Sequence, residues 1–279
     1  MSSSSKKLIV LFSILLSLFA FWDKAHLEFL KEFIVLLHEY CHAIAAIISG
    51  GSVHSVSLHG NESGETFAKP AAYGGSFLFI VSSGYLGSSL IGGLLLYLGL
   101  NRINSKAIAF ILGVLVLFMT FRYADKSGVT HSVGYVWGIG LILTSFLGNL
   151  LSSLIICFLG ASVCLYSIYD LGDFIDGVHN TDAGIMAQYL VGYDQNSSKG
   201  IGFGVKILGY LIAGLWSILS LSTIYHFVKN SFGSDDDILH QQTPEINLQD
   251  PNLDPAALDK LLAESFPGEF PPRQNNNRT

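Results

Sequence analysis

The stretch FIVLLHEYCHAIAAIIS, residues 33–49, decides how this chain is read. It is an apolar run long enough to enter a bilayer, which takes about 20 residues of helix to cross and fewer where flanking side chains snorkel. Three ionisable side chains interrupt it: His38, Glu39 and His42. A charged group in such a segment costs roughly 2.5 to 3.5 kcal/mol on insertion scales, so its presence marks function. The spacing says which function. Residues four apart share a helix face, so His38 and His42 can hold one zinc ion while Glu39, turned by about 100 degrees, flanks it. Zinc lowers the pKa of a water toward neutrality, and Glu39 takes the proton as that water attacks a peptide carbonyl. The same carboxylate then protonates the leaving amine, which is the logic of the H-E-x-x-H signature.

Outward from this run, the composition names the solvent. Of 279 residues half are hydrophobic and only 13% are charged, a balance that belongs to lipid rather than to water. Apolar segments at Leu8 to Trp22, Phe33 to Ser49, Gly75 to Leu98, Ala107 to Phe121 and Ile201 to Val228 read as single spans. Gly134 to Tyr169 is too long for one crossing and reads as two helices meeting near Gly148 and Asn149. The expected fold is an all-α, multi-pass integral membrane protein of about seven transmembrane helices. Lys6 and Lys7 precede the first span and no small-x-small cleavage site follows it, so a retained first helix with a cytosolic N-terminus is expected. Cys41, Cys157 and Cys164 all lie in apolar segments without disulfide or cysteine-zinc spacing. The absence of a basic stripe argues against a nucleic-acid partner. Nothing in the sequence sets an oligomeric state.

Between the second and third spans, Val53, Val56 and Leu58 lead into Asn61-Glu62-Ser63-Gly64, and Glu65-Thr66-Phe67 follows. That is the turn chemistry of a short β-hairpin, which must lie outside the bilayer or dip into a protein-lined cavity. Small residues four apart, such as Gly84, Ser88 and Gly92, read as a helix-packing ridge. The formal net charge of -6 is concentrated late, where Asp235, Asp236 and Asp237 open a polar tail. The expected organisation is a membrane domain over residues 1–232 and an acidic, disordered tail over 233–279, with one short amphipathic helix at Pro255 to Phe266.

A zinc site with two histidines needs a third protein ligand, commonly a carboxylate. The candidates crowd into Asp170, Asp173, Asp176 and Asp182, with His179 among them. By the span count this segment and the hairpin both follow an even number of crossings. They then share a side of the membrane, that of the N-terminus, where the acidic segment can fold back toward the metal.

The sequence resembles the M50B-like branch of the site-2 protease metallopeptidases. The likeness runs through His38 to Ala46, the Gly50-Gly51 exit with its strand, the Ser83-Gly84-Tyr85-Leu86-Gly87 helix and Asn180-Thr181-Asp182-Ala183, covering residues 25 to 195. The resemblance implies zinc as the cofactor, a membrane-embedded substrate helix as the partner, and Asp182 as the third ligand. Other members carry the third ligand in Leu-Asp-Gly, and Ile175-Asp176-Gly177 is the nearest string here, so Asp176 is the rival. The implied activity is an intramembrane zinc endopeptidase. A catalytically inert relative that binds or escorts membrane proteins is the alternative, and zinc content with turnover separates the two. A transporter is disfavoured because no inverted repeat is evident.

Overall fold

A computed structural model describes residues 3–72, 74–126, 128–169, 181–192 and 202–242. These are mostly helical: α1 (Ser3–Phe21), α2 (Ala25–Ile48), α3 (Gly75–Leu100), α4 (Ser105–Tyr123), α5 (Gly128–Ser145), α6 (Asn149–Tyr169), α7 (Asp182–Val191) and α8 (Phe203–Gln242). The hairpin strands β1 (Ser52–Leu58) and β2 (Gly64–Lys69) stand between α2 and α3, as expected. Two compact units are delimited, Met1–Asp235 and Asp236–Thr279. Of the second, only the end of α8 is described; α8 runs past Gly233, where the tail was expected to begin. The Pro255 to Phe266 segment lies outside the described residues.

Among the described residues, five helices are long and apolar enough to cross a membrane: α1, α3, α4, α6 and the Phe203–Gly233 part of α8. The two other expected spans, α2 and α5, are helices of 24 and 18 residues outside that group. In α2 the reason is charge, from Glu28, Lys31, Glu32 and Glu39; in α5 it is dilution by His131 and several glycines.

Contacts fix the direction of each helix. Gly92 meets Cys164 and Gly99 meets Cys157, so α3 and α6 are antiparallel. Gly134 meets Thr120 and Gly113 meets Gly138, so α4 and α5 are antiparallel too. Ser105 and Ser153 bond at 3.1 Å, which sets the starts of α4 and α6 side by side. Tyr85 stacks near Trp216 and Gly93 meets Phe227, so α8 runs with α3. Lys7, near the start of α1, reaches Asn101 after α3 and the Ser231 carbonyl of α8. Helices α1, α4 and α6 therefore run one way, and α3, α5 and α8 the other.

Both ends of α2 belong to one end of this bundle. At its N-terminus Lys31 sits over Trp22, just after α1, and Ala25 and Glu28 share a cavity wall with Gly128 and Val129 at the start of α5. At its C-terminus Ala45 and Ala46 pack on Ile80, in the second turn of α3. The expected crossing by Phe33 to Ser49 is not confirmed: α2 begins and ends at the same end of the bundle, and between its ends it packs against the interior of α3 and α5, where Cys41 meets Gly87 and Phe33 meets Trp137. Its apolar residues face other helices, with Phe33, Ile34 and Leu36 buried and Phe33 stacked on Trp137 at 4.5 Å. Tyr40 bonds the Thr120 hydroxyl at 2.7 Å, a type of contact worth about 0.6 kcal/mol where lipid is the solvent.

Helix α2 ends in a Schellman motif. Gly51 N–H reaches the Ala46 carbonyl and Gly50 N–H the Ile47 carbonyl, with Gly50 at φ 79°. The chain then folds back along α2. In the antiparallel hairpin Val56 faces Thr66 and Leu58 faces Gly64, with a bulge at His54 between Val53 and Ser55. The β1 edge is occupied: Asp125 N–H donates to the Val56 carbonyl at 2.8 Å, and Leu58 N–H donates to the Thr130 hydroxyl at 2.9 Å. The outer edge of β2 carries no further strand among the described residues.

Candidate metal centre

His38 and His42 stand one turn apart on α2, and the start of α7 brings Asp182 to them. Among the described residues these three form a group whose ligand atoms all lie within 4.8 Å of one another. The Asp182 Oδ2 atom is 3.1 Å from His38 Nε2 and 3.0 Å from His42 Nε2, and the two nitrogens are 3.2 Å apart. Such a triangle of electron-rich atoms matches the roughly 3.3 Å edge of a tetrahedron whose metal-ligand bonds are about 2.0 Å.

The surroundings orient each donor. His42 Nδ1 lies 2.7 Å from the Ile80 carbonyl, which can only accept, so Nδ1 carries the proton and Nε2 presents its lone pair to the shared point. The His38 ring is held edge-on against Tyr85 at 4.9 Å. Asp182 is the first residue of α7, after the N-cap Thr181, whose hydroxyl accepts from Gly184 N–H. Burial works to raise the Asp182 carboxyl, but the charge and N–H groups of His42 and His38, when these rings are protonated, outweigh it and hold the group well below the usual carboxylate range. The helix N-terminus favours the same ionised form. Room for an ion comes from α3: a methyl group at Gly84 would run into Nε2 of both histidines. Gly84, read from sequence as packing alone, therefore floors the centre.

Glu39 is buried beside this group, and β2 holds it. The Thr66 hydroxyl lies 2.6 Å from Glu39 Oε2 and 2.9 Å from the Glu39 carbonyl. A Cβ on Gly64 would press on the Glu39 side chain. The alternation of β2, whose Gly64, Thr66 and Ala68 are half-buried while Glu65, Phe67 and Lys69 are exposed, is what turns Thr66 toward α2. A cavity of about 170 Å³ opens on the group, lined by Val35, His38, Glu39, Gly64, Tyr85 and Asp182 among others.

Of the residues expected at the site, His38, Glu39, His42 and Asp182 are brought together, while Asp176 lies outside the described residues. His54 packs edge-on against Phe67. Thr66, Ile80 and Gly84 were not anticipated as site residues. Only the alternation of β2 could have pointed to Thr66.

A family model described as Peptidase M50B-like matches residues 11–227 of the chain. No curated protein and no solved structure matches it.

Proposed function

The chain belongs to the M50B-like peptidase family, and on that premise we propose that it is a zinc metalloendopeptidase that cuts membrane-embedded protein segments. It is an integral, multi-pass membrane protein, with five apolar helices of crossing length. The alternating helix directions support six crossings, with α5 as the sixth and α2, the hairpin and α7 forming a catalytic layer at one end.

The observation that carries this reading is the His38, His42 and Asp182 triangle with Glu39 at its side. The donor set, two neutral imidazoles and one carboxylate, suits zinc and leaves a fourth position open. A bound zinc ion would supply Lewis acidity, polarising a water and the scissile carbonyl. Glu39 takes a proton from the attacking water and passes it to the departing amine, while the Thr66 hydroxyl holds the carboxylate in place. The unpaired edge of β2 offers backbone groups to an extended substrate segment, whose peptide bonds are protected as long as they stay helical.

Elemental analysis of purified protein should find one zinc per chain. Glu39→Gln should retain the metal and abolish cleavage, and absence of zinc from folded wild type would sink the proposal. For the third ligand, Asp182→Asn should lose zinc while Asp176→Asn keeps it; the reverse would give the role to Asp176.

A further inference from the structure

One residue at the tip of the hairpin is gripped at its amide, its side chain and its carbonyl. Glu62, in the loop between β1 and β2, donates its N–H to Glu32 Oε1 at 2.8 Å and pairs its carboxylate with Lys31 Nζ at 2.9 Å. Its carbonyl accepts from the Tyr166 hydroxyl of α6 at 3.3 Å. Consecutive residues of α2 thus hold two of its polar groups, and a second helix holds the third. Lys31 is buried over the Trp22 ring, 5.2 Å from its centre, so its charge has to be met inside the protein.

Glu62 also has φ 60°, in the left-handed region where a β-carbon carries a cost that glycine avoids. Glycine would serve a turn that needed only this conformation; glutamate adds the bond to Lys31. The loop needs such holding. At Glu62, Ser63 and Gly64 it faces the catalytic cavity, and at Gly60, Asn61 and Glu62 it borders another of about 600 Å³. With a cavity on each side, packing gives it little support. The chain leads from here to the general base. His59 N–H donates to the Ser63 carbonyl at 3.0 Å and closes the loop, which passes any shift of Glu62 to the start of β2. Gly64 follows so close to Glu39 that a β-carbon would collide with it, and the Thr66 hydroxyl then meets Glu39 Oε2.

We propose that Lys31 and Glu62 are positioning residues for the general base: their pair anchors the hairpin tip on α2 and so holds Gly64 and Thr66 against Glu39. The inference rests on the protease reading above. Lys31 stands eight residues before Glu39, about 12 Å of helix rise, so it reaches the base only through the hairpin. Losing the pair frees the tip and lets Thr66 leave the carboxylate. Proton transfer then slows while every proposed metal ligand stays in place.

The test uses the full chain in detergent, with a quenched fluorogenic apolar peptide of about 25 residues, the length of a membrane span, as the probe. Glu62→Gly keeps the left-handed turn and removes the pair; it should lower kcat about tenfold with zinc content unchanged. Glu62→Gln, which still offers Lys31 an acceptor oxygen, should recover most of the rate. In a Thr66→Val background, Glu62→Gly should cost no more than about twofold, because the route it acts through is already cut. Lys31→Met, whose stem still covers Trp22, removes the pair from the other side and serves if Glu62→Gly does not fold. An unchanged kcat in Glu62→Gly, or the same loss in both backgrounds, overturns the anchor. Hydrogen exchange reads the anchor without cleavage: amides of residues 63–69 should exchange about fivefold faster in Glu62→Gly than in wild type, and equal exchange also overturns it. Faster exchange in the variant, with no zinc and no cleavage in wild type, rejects the protease reading and leaves the anchor standing; equal cleavage by zinc-loaded wild type and Glu62→Gly rejects the anchor alone.

Discussion

Thr66 and Glu39 come from different elements, 27 residues apart, and meet at 2.6 Å. The hydroxyl touches no metal ligand, so its removal separates metal binding from turnover. Thr66→Val, which keeps shape and burial, should leave zinc content unchanged and lower the turnover number by about tenfold or more, the usual cost of losing a supporting partner. Thr66→Ser should recover most of the rate, and equal loss in both variants would reduce Thr66 to a packing role. Legibility at this scale follows distance along the chain. His38, Glu39 and His42 were readable because the helix repeat alone brings them together. Asp182 was reached only through resemblance, since the acidic segment offered several equivalent carboxylates. The Ile80 carbonyl and Gly84 carry no local mark of their role: a backbone acceptor is common to every residue, and a glycine beside two imidazoles looks like any glycine in a packing ridge.

Among the elements, α7 is short, and its task is to deliver one carboxylate. Its N-cap is Thr181, and its buried residues Ala183 and Met186 pack with Val81 and Tyr85 of α3. Thr181→Ala removes the capping acceptor, a loss of about 1 kcal/mol, and loosens the residue that follows it. Zinc should then be stripped by a chelator roughly fivefold faster, with cleavage by the loaded protein little changed; an unaltered stripping rate would mean that packing on α3 suffices. The hairpin was legible element by element, because turn residues and β-branched alternation are local signals. Its docking was not. The bond from Asp125 N–H to Val56 and the bond from Leu58 N–H to Thr130 join β1 to the α4–α5 connection and the first turn of α5, a pairing with no periodicity to announce it.

For the whole molecule, hydropathy measured the length of each apolar run but not its direction, which is why α2 was read as a crossing. A buried helix at the end of a bundle and a helix in lipid are both apolar around their circumference. The contacts of Lys7 with Asn101 and Ser231 set the start of α1 at the far end from the hairpin. Single cysteines replacing Ser4 and Lys126, in a background lacking Cys41, Cys157 and Cys164, should be modified by an impermeant maleimide from opposite faces of sealed vesicles. Seven crossings would expose both from one face. Gly84, which meets both histidines, stands nine residues beyond Gly75, about 13 Å of helix rise from the start of α3. The proposed reaction would therefore draw its water from that end of the bundle down to a centre set below it, and a target helix would have to open some of its internal hydrogen bonds at that depth to be cut.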